Sequence, residues 1–127
     1  MAIENFKKGS IEMLTLLILQ ERDVHGYQLS QMIKERSGGL LTVQEGSLYP
    51  MLYRMVDCGY ITGHDEIVET KFGRKRSRVM YHLEPAGLKR LIQLKREYDE
   101  VQQGIQNVFQ NSVEIGYERV MSDGSDS

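Results

Sequence analysis

The chain has 127 residues, no tryptophan and a single cysteine, Cys58. One cysteine excludes an intramolecular disulfide framework and fits a reducing compartment. There is no run of 18 apolar residues, so no membrane-spanning helix and no membrane partner is expected. The opening Met-Ala-Ile-Glu-Asn-Phe-Lys-Lys lacks the order of a secretory signal. These absences together make the cytoplasm the expected location. None of His25, His64 and His82 pairs with another, or with Cys58, at metal-ligand spacing. The chain also has no Gly-x-Ser-x-Gly, no phosphate-binding glycine loop and no His-Glu-x-x-His. Asp65-Glu66 and Asp99-Glu100 are neighbours in sequence and do not converge as a catalytic pair would. No metal, no cofactor and no catalytic residue is therefore expected, and the chain does not read as an enzyme.

The formal net charge is only −2. Its distribution is uneven. Residues 1–70 carry 6 basic and 10 acidic side chains, residues 71–96 carry 9 and 1, and residues 97–127 carry 1 and 7. A basic block on an acidic chain suits a polyanion bound at one place, with the rest kept soluble.

Ser10 is a candidate N-cap for a first helix, with Ile11, Leu14, Leu17 and Ile18 at helical spacing and Met13, Leu16 and Leu19 widening the stripe. Tyr27, Leu29, Met32 and Ile33 give a second helix, bounded by Gly26 and by Ser37-Gly38-Gly39. The stretch Gly46–Met55 splits on a helical wheel into two faces. Leu48, Leu52, Met55 and Val56 form an apolar stripe, whereas Gly46, Ser47, Pro50, Tyr53, Arg54 and Asp57 lie opposite. The second face suits a helix lying in a DNA groove, and suits an ordinary surface helix equally well. Its start has two candidates. Thr42 with Glu45 fits a capping box and puts Pro50 inside the helix, whereas Ser47 as N-cap puts Pro50 in the first turn.

From Tyr60 to Leu83 the period becomes two. Ile61 begins one strand, and Val79, Tyr81 and Leu83 mark another. Thr70–Arg76 turns between them around Gly73. Lys71, Arg74, Lys75, Arg76 and Arg78 put five cations in eight residues with no acid. On a hairpin tip they suit a phosphate clamp; a solvated basic turn that protects a sheet edge is the plainer alternative. Pro85 then opens a long helix to about Asn111. Its Leu91, Leu94, Tyr98, Val101, Ile105 and Val108 are spaced 3, 4, 3, 4, 3. This heptad seam calls for a second copy of the helix, or for packing back on the first helix.

Several of these residues resemble the PadR family of bacterial winged-helix transcriptional regulators, over roughly residues 10–110. The resemblance rests on His25-Gly26-Tyr27-Gln28-Leu29, on Gly46-Ser47-Leu48-Tyr49-Pro50 with Leu52 and Arg54, and on Gly59. It continues in the Gly73-Arg74-Lys75 wing and in Tyr81-His82-Leu83 with Gly87. It departs at Leu83-Glu84-Pro85, where many members have Leu-Thr before the last helix.

The expected fold class is mainly α with a small β-hairpin: a winged helix-turn-helix over 1–84, a C-terminal dimerisation helix over 85–112, and a polar, partly disordered tail over 113–127. The resemblance implies a homodimeric regulator, expected to be a repressor, on double-stranded DNA with an approximately palindromic operator. It assigns DNA contacts to Gln28, Ser47, Tyr49, Pro50, Tyr53, Arg54, Lys71, Arg74, Lys75 and Arg76. The dimer interface would be Leu91, Leu94, Tyr98, Val101, Ile105 and Val108, with Tyr98 placed to meet a small aromatic effector. A winged-helix protein-interaction adaptor is the alternative.

Overall fold

The computed structural model describes residues 3–116, with side chains from Gly9 onward. The elements run α1 (Ile3–Leu19), β1 (Val24–His25), α2 (Gly26–Arg36), α3 (Glu45–Asp57), β2 (Ile61–Glu69), β3 (Lys75–Leu83) and α4 (Pro85–Gln110). The disorder expected at the end of the tail concerns residues 117–127, which lie outside the described residues. Two compact units divide the chain, residues 1–95 and 96–127.

The first unit holds the core. α1 contributes Ile11, Leu16, Ile18 and Leu19, α2 contributes Leu29 and Ile33, and α3 contributes Leu48, Met51, Leu52 and Met55. Ile61, Tyr81 and Leu91 close it from β2, β3 and α4. The buried face of α1 is centred differently from the expected stripe: Leu17 is exposed and Thr15 is buried. Thr15 can be buried because its hydroxyl donates to the Ile11 carbonyl at 2.8 Å, which leaves no orphan polar group. α1 also begins before Ser10, because nothing between Ile3 and Gly9 forbids a helix and one interior glycine costs only about 1 kcal/mol.

Three strands form the sheet where a two-stranded hairpin was expected. Its order is β1-β3-β2, all antiparallel. The added strand pairs Val24 with Tyr81 and His25 with Met80. Two residues are too few to leave a periodic signal, so only the pairing with β3 defines β1. The long hairpin keeps register from Ile61 opposite Leu83 to Glu69 opposite Lys75.

Pro85 is the first residue of α4, where its missing N–H costs nothing. The cap is the Glu84 backbone: its carbonyl accepts from the N–H groups of Gly87 (2.9 Å) and Leu88 (3.1 Å), and its own N–H donates to the Tyr60 carbonyl at 3.0 Å. Gly87 is needed there. A Cβ on it would lie 2.1 Å from the Tyr60 carbonyl oxygen, so any other residue would push α4 off the end of β2. The second unit contains α4 from Arg96 and the irregular residues 111–116. Val101, Ile105, Val108 and Phe109 are all exposed in it.

Candidate nucleic-acid interface

α3 starts at Glu45 with Gln44 as N-cap, and Gln44 makes no side-chain capping bond. Neither Thr42 nor Ser47 takes that role. The Gln44 carbonyl accepts from both Ser47 N–H (3.0 Å) and Leu48 N–H (2.9 Å), so the first turn is closed by backbone alone. Pro50 therefore sits in the second turn. Its missing N–H would have bonded the Gly46 carbonyl, and both residues are exposed, so water can satisfy that oxygen. The helix ends in a pair of bonds that fix the exit of the chain: Tyr60 N–H donates to the Met55 carbonyl at 3.0 Å and Gly59 N–H to Val56 at 2.9 Å.

Packing divides α3 into two faces close to those read from its spacing. Leu48, Met51, Leu52 and Met55 are buried; Met51 takes the place expected for Val56, which is 37% exposed. The apolar stripe is thus turned toward Met51, whose long unbranched side chain can fill the core without a polar partner. Gly46, Ser47, Pro50, Tyr53, Arg54 and Asp57 are all exposed. Tyr53 is 60% exposed and lies 6.4 Å, centroid to centroid, from Tyr49. Tyr49 itself is half-buried against α2, where a Cβ on Gly26 would come within 2.9 Å of its ring. Tyr81 lies beneath them. Burial, then its neighbours Tyr53 and Tyr49, push its phenol above the usual range, so it stays a neutral packing group.

Arg54 is not free of the protein. Its guanidinium is 3.6 Å from Glu12 of α1, and Glu12 also lies 3.8 Å from Arg90 of α4. Gln28 is likewise engaged. His25 N–H donates to the Gln28 side-chain carbonyl at 3.2 Å, and Gln28 N–H donates to His25 Nδ1 at 3.3 Å. This reciprocal cap starts α2 and requires a neutral imidazole. Burial, and then the charge of Arg78, hold His25 below its ordinary range. Neither the cap nor the Glu12 pair was read from the sequence. The cap had a usable signal in the three-residue spacing of His25 and Gln28; Glu12 had none, because its partners lie far away along the chain.

The wing turns through Thr70–Arg74. Thr70 N–H donates to the Arg74 carbonyl at 2.7 Å and Gly73 N–H to Thr70 at 3.0 Å, while Thr70 Oγ1 accepts from Arg74 N–H at 3.2 Å. Gly73 has φ of 73°, the left-handed value the turn needs. Of the five clustered cations, Arg78 pairs with Glu66 across the strands at 3.1 Å. Lys71, Arg74, Lys75 and Arg76 are exposed and make no ion pair among the described residues. β2 packs against α3, so the wing and the exposed face of α3 belong to neighbouring elements.

A helical face with small residues, tyrosine and arginine, next to a cationic hairpin, is the layout of a winged-helix nucleic-acid reader. The profile of the transcriptional regulator PadR-like family matches residues 15–93. The chain belongs to this family of transcriptional regulators. A PadR-like transcriptional regulator of Bacillus cereus is 32% identical, with 81% of this chain and 94% of that one covered and a TM-score of 0.62. A transcriptional regulator from Clostridium thermocellum, 24% identical, shares the fold with a TM-score of 0.72 over 81% of this chain and 96% of that one. Bacillus subtilis PadR, solved in complex with operator DNA, is 26% identical with a TM-score of 0.58. That match covers 66% of this chain and 45% of the other. The PadR-like chain is thus a winged-helix protein with a long C-terminal helix. Among its described residues no helix is long and apolar enough to cross a membrane.

On α4 the six seam residues are not equivalent. Leu91 is buried in the core of residues 1–95, Leu94 and Tyr98 are half-buried, and Val101, Ile105 and Val108 are exposed. The Tyr98 hydroxyl accepts from Gln102 Nε2 at 2.6 Å.

Proposed function

We propose that this DNA-binding transcriptional regulator acts as a homodimeric repressor on an approximately palindromic duplex operator. The observation that carries the reading is the set of four wing cations, without ion pairs among the described residues, on an element beside the exposed face of α3. Ser47, Pro50, Tyr53 and Arg54 read base edges or position the helix in the major groove, with Tyr49 supporting Tyr53. Lys71, Arg74, Lys75 and Arg76 neutralise phosphates, and Gln28 donates to phosphate through its amide end. The operator complex of the Bacillus subtilis relative supports this direction. Arg54 exchanges Glu12 for DNA on binding, since a carboxylate 3.6 Å away competes for the same guanidinium.

The dimer forms through Leu94, Tyr98, Val101, Ile105 and Val108 of residues 85–112, with Leu91 serving the core of its own subunit. Two copies of α3 then enter the major groove about 10 bp apart. A small aromatic effector bound beside Tyr98 relieves repression by favouring a dimer of different spacing, to the extent of its differential affinity for the two states. The protein works in the cytoplasm, in keeping with its single exposed Cys58.

The test is duplex binding measured across salt concentrations with Arg74, Lys75 and Arg76 changed to Ala. The log–log salt slope should shrink by about 0.9 for each phosphate that a wing cation no longer neutralises. An unchanged slope removes the wing from the interface. In sedimentation, Leu94→Glu with Val101→Glu should give monomers. A folded dimer without duplex affinity at low salt would instead indicate an adaptor.

A further inference from the structure

Phe72, in the wing, is the most exposed aromatic side chain among the described residues. It is 88% exposed at the apex of the turn and contributes nothing to the core. Local chemistry does not explain it. The position is third in the turn Thr70-Lys71-Phe72-Gly73, where Asp, Asn, Ser or Gly would serve better and keep the tip soluble. Nor is the apex loose. The three hydrogen bonds between Thr70, Gly73 and Arg74 close the loop beneath it and fix the backbone that carries the ring. Lys71 precedes the ring, and Arg74, Lys75 and Arg76 follow it, all exposed and without ion pairs among the described residues. A hydrogen-bonded, cation-flanked turn with an exposed aromatic ring matches a partner that is anionic outside and apolar just beneath. Duplex DNA has this character, with phosphates along the groove edges and stacked base faces below.

We propose that Phe72 is a specificity-determining residue that wedges into the DNA minor groove at a deformable base step, on the reading given above that the wing lies on DNA. Apolar side chains inserted at such positions partly unstack the bases and bend the duplex toward the major groove. Pyrimidine–purine steps open most readily, so the ring selects TA or CA/TG steps by their ease of unstacking, at a position no side chain reads by hydrogen bonds. The flanking cations hold the hairpin at the groove edges while the ring enters. Anionic lipid offers the same charge. The single ring gives a lipid surface little to hold, however, and the neighbouring face of α3, with Ser47, Arg54 and Asp57, is polar.

The experiment selects duplexes from a randomised library with the full chain, then measures the enriched duplexes with 2-aminopurine at the flanking step. Wild type should enrich a pyrimidine–purine step at a fixed distance from each half-site and raise the 2-aminopurine fluorescence on binding. Phe72→Ala should keep its thermal midpoint, since the ring packs on nothing. It should keep the salt slope, since no cation is removed, yet bind roughly ten- to a hundredfold more weakly and lose the step preference. If Phe72→Ala selects the same step with wild-type affinity, or if binding brings no 2-aminopurine response, the wedge is overturned and the DNA-binding reading stands. If wild type binds no duplex, both fall. Phosphatidylserine vesicles that pelleted wild type but not Phe72→Ala would overturn the wedge by assigning the ring to a membrane surface.

Discussion

The two ends of the β2–β3 hairpin are built on opposite principles. At its base, Ile61 and Tyr81 are fully enclosed, α4 is hung from the Tyr60 carbonyl, and β1 pairs alongside. At its tip, Ile67 is 71% exposed, Phe72 more so, and four cations crowd the turn and the first two residues of β3. The base gains from burial of apolar surface, which depends little on salt. The tip gains only its turn hydrogen bonds from folding, and its clustered cations, offset in part by Glu69 opposite Lys75, repel one another until an anion arrives. One ribbon thus anchors in the core and offers an unsatisfied end. Arg78 marks the boundary, being the last cation toward the base and the one that has found an acid, Glu66.

Substitutions at the base should cost stability and those at the tip should not. Ile61→Ala is expected to have the largest effect, about 3–4 kcal/mol lost in denaturant unfolding, because its site is sealed and cannot collapse fully. Gly87→Ala should follow, at about 2–3 kcal/mol, because the new Cβ meets backbone rather than a movable side chain. A wild-type melting temperature for Gly87→Ala would mean that the base does not hold α4 as described.

His25, beside the base on β1, should act through pH. Its folded pKa is lowered by burial and by Arg78. Its contribution is therefore complete above the unfolded value of about 6.5 and is lost as pH falls through the folded one. His82 has the opposite sign. Its hydrogen bond to Asp23 raises its pKa, so its solvent-screened contribution is present below the unfolded value and is lost as pH rises through the folded one. Removing the α2 cap by His25→Ala should cost about 1 kcal/mol at pH 7.5 and less at pH 5. A loss independent of pH would detach the cap from the titration. The smallest effect belongs to the tip. Arg74, Lys75 and Arg76 changed together to Ala should shift stability by less than about 0.5 kcal/mol in unfolding experiments, with any change toward greater stability. A large destabilisation would show that the wing cations support the fold after all.

Much of this layout is legible in the order of residues, for reasons that differ by element. The two faces of α3, the period-two strands, the turn at Gly73 and Pro85 at the head of α4 are all set by residues within a few positions of one another. Local periodicity and φ preference act at that range, so the linear order of residues contains them. The cation cluster is legible for the same reason. The start of α3 is not, because its first turn is closed by the Gln44 carbonyl and not by Thr42 or Ser47.

What tertiary structure alone decided involves partners distant along the chain. β1 exists because Val24 meets Tyr81, and Arg54 is held because α1 brings Glu12 beside it. Arg78 is neutralised because the register places Glu66 opposite. Leu91 is buried because the core of residues 1–95 encloses it. A side chain's type and spacing determine what it can bond to. Which of those bonds forms depends on what the folded backbone places within a few ångströms, and no local pattern encodes that distance.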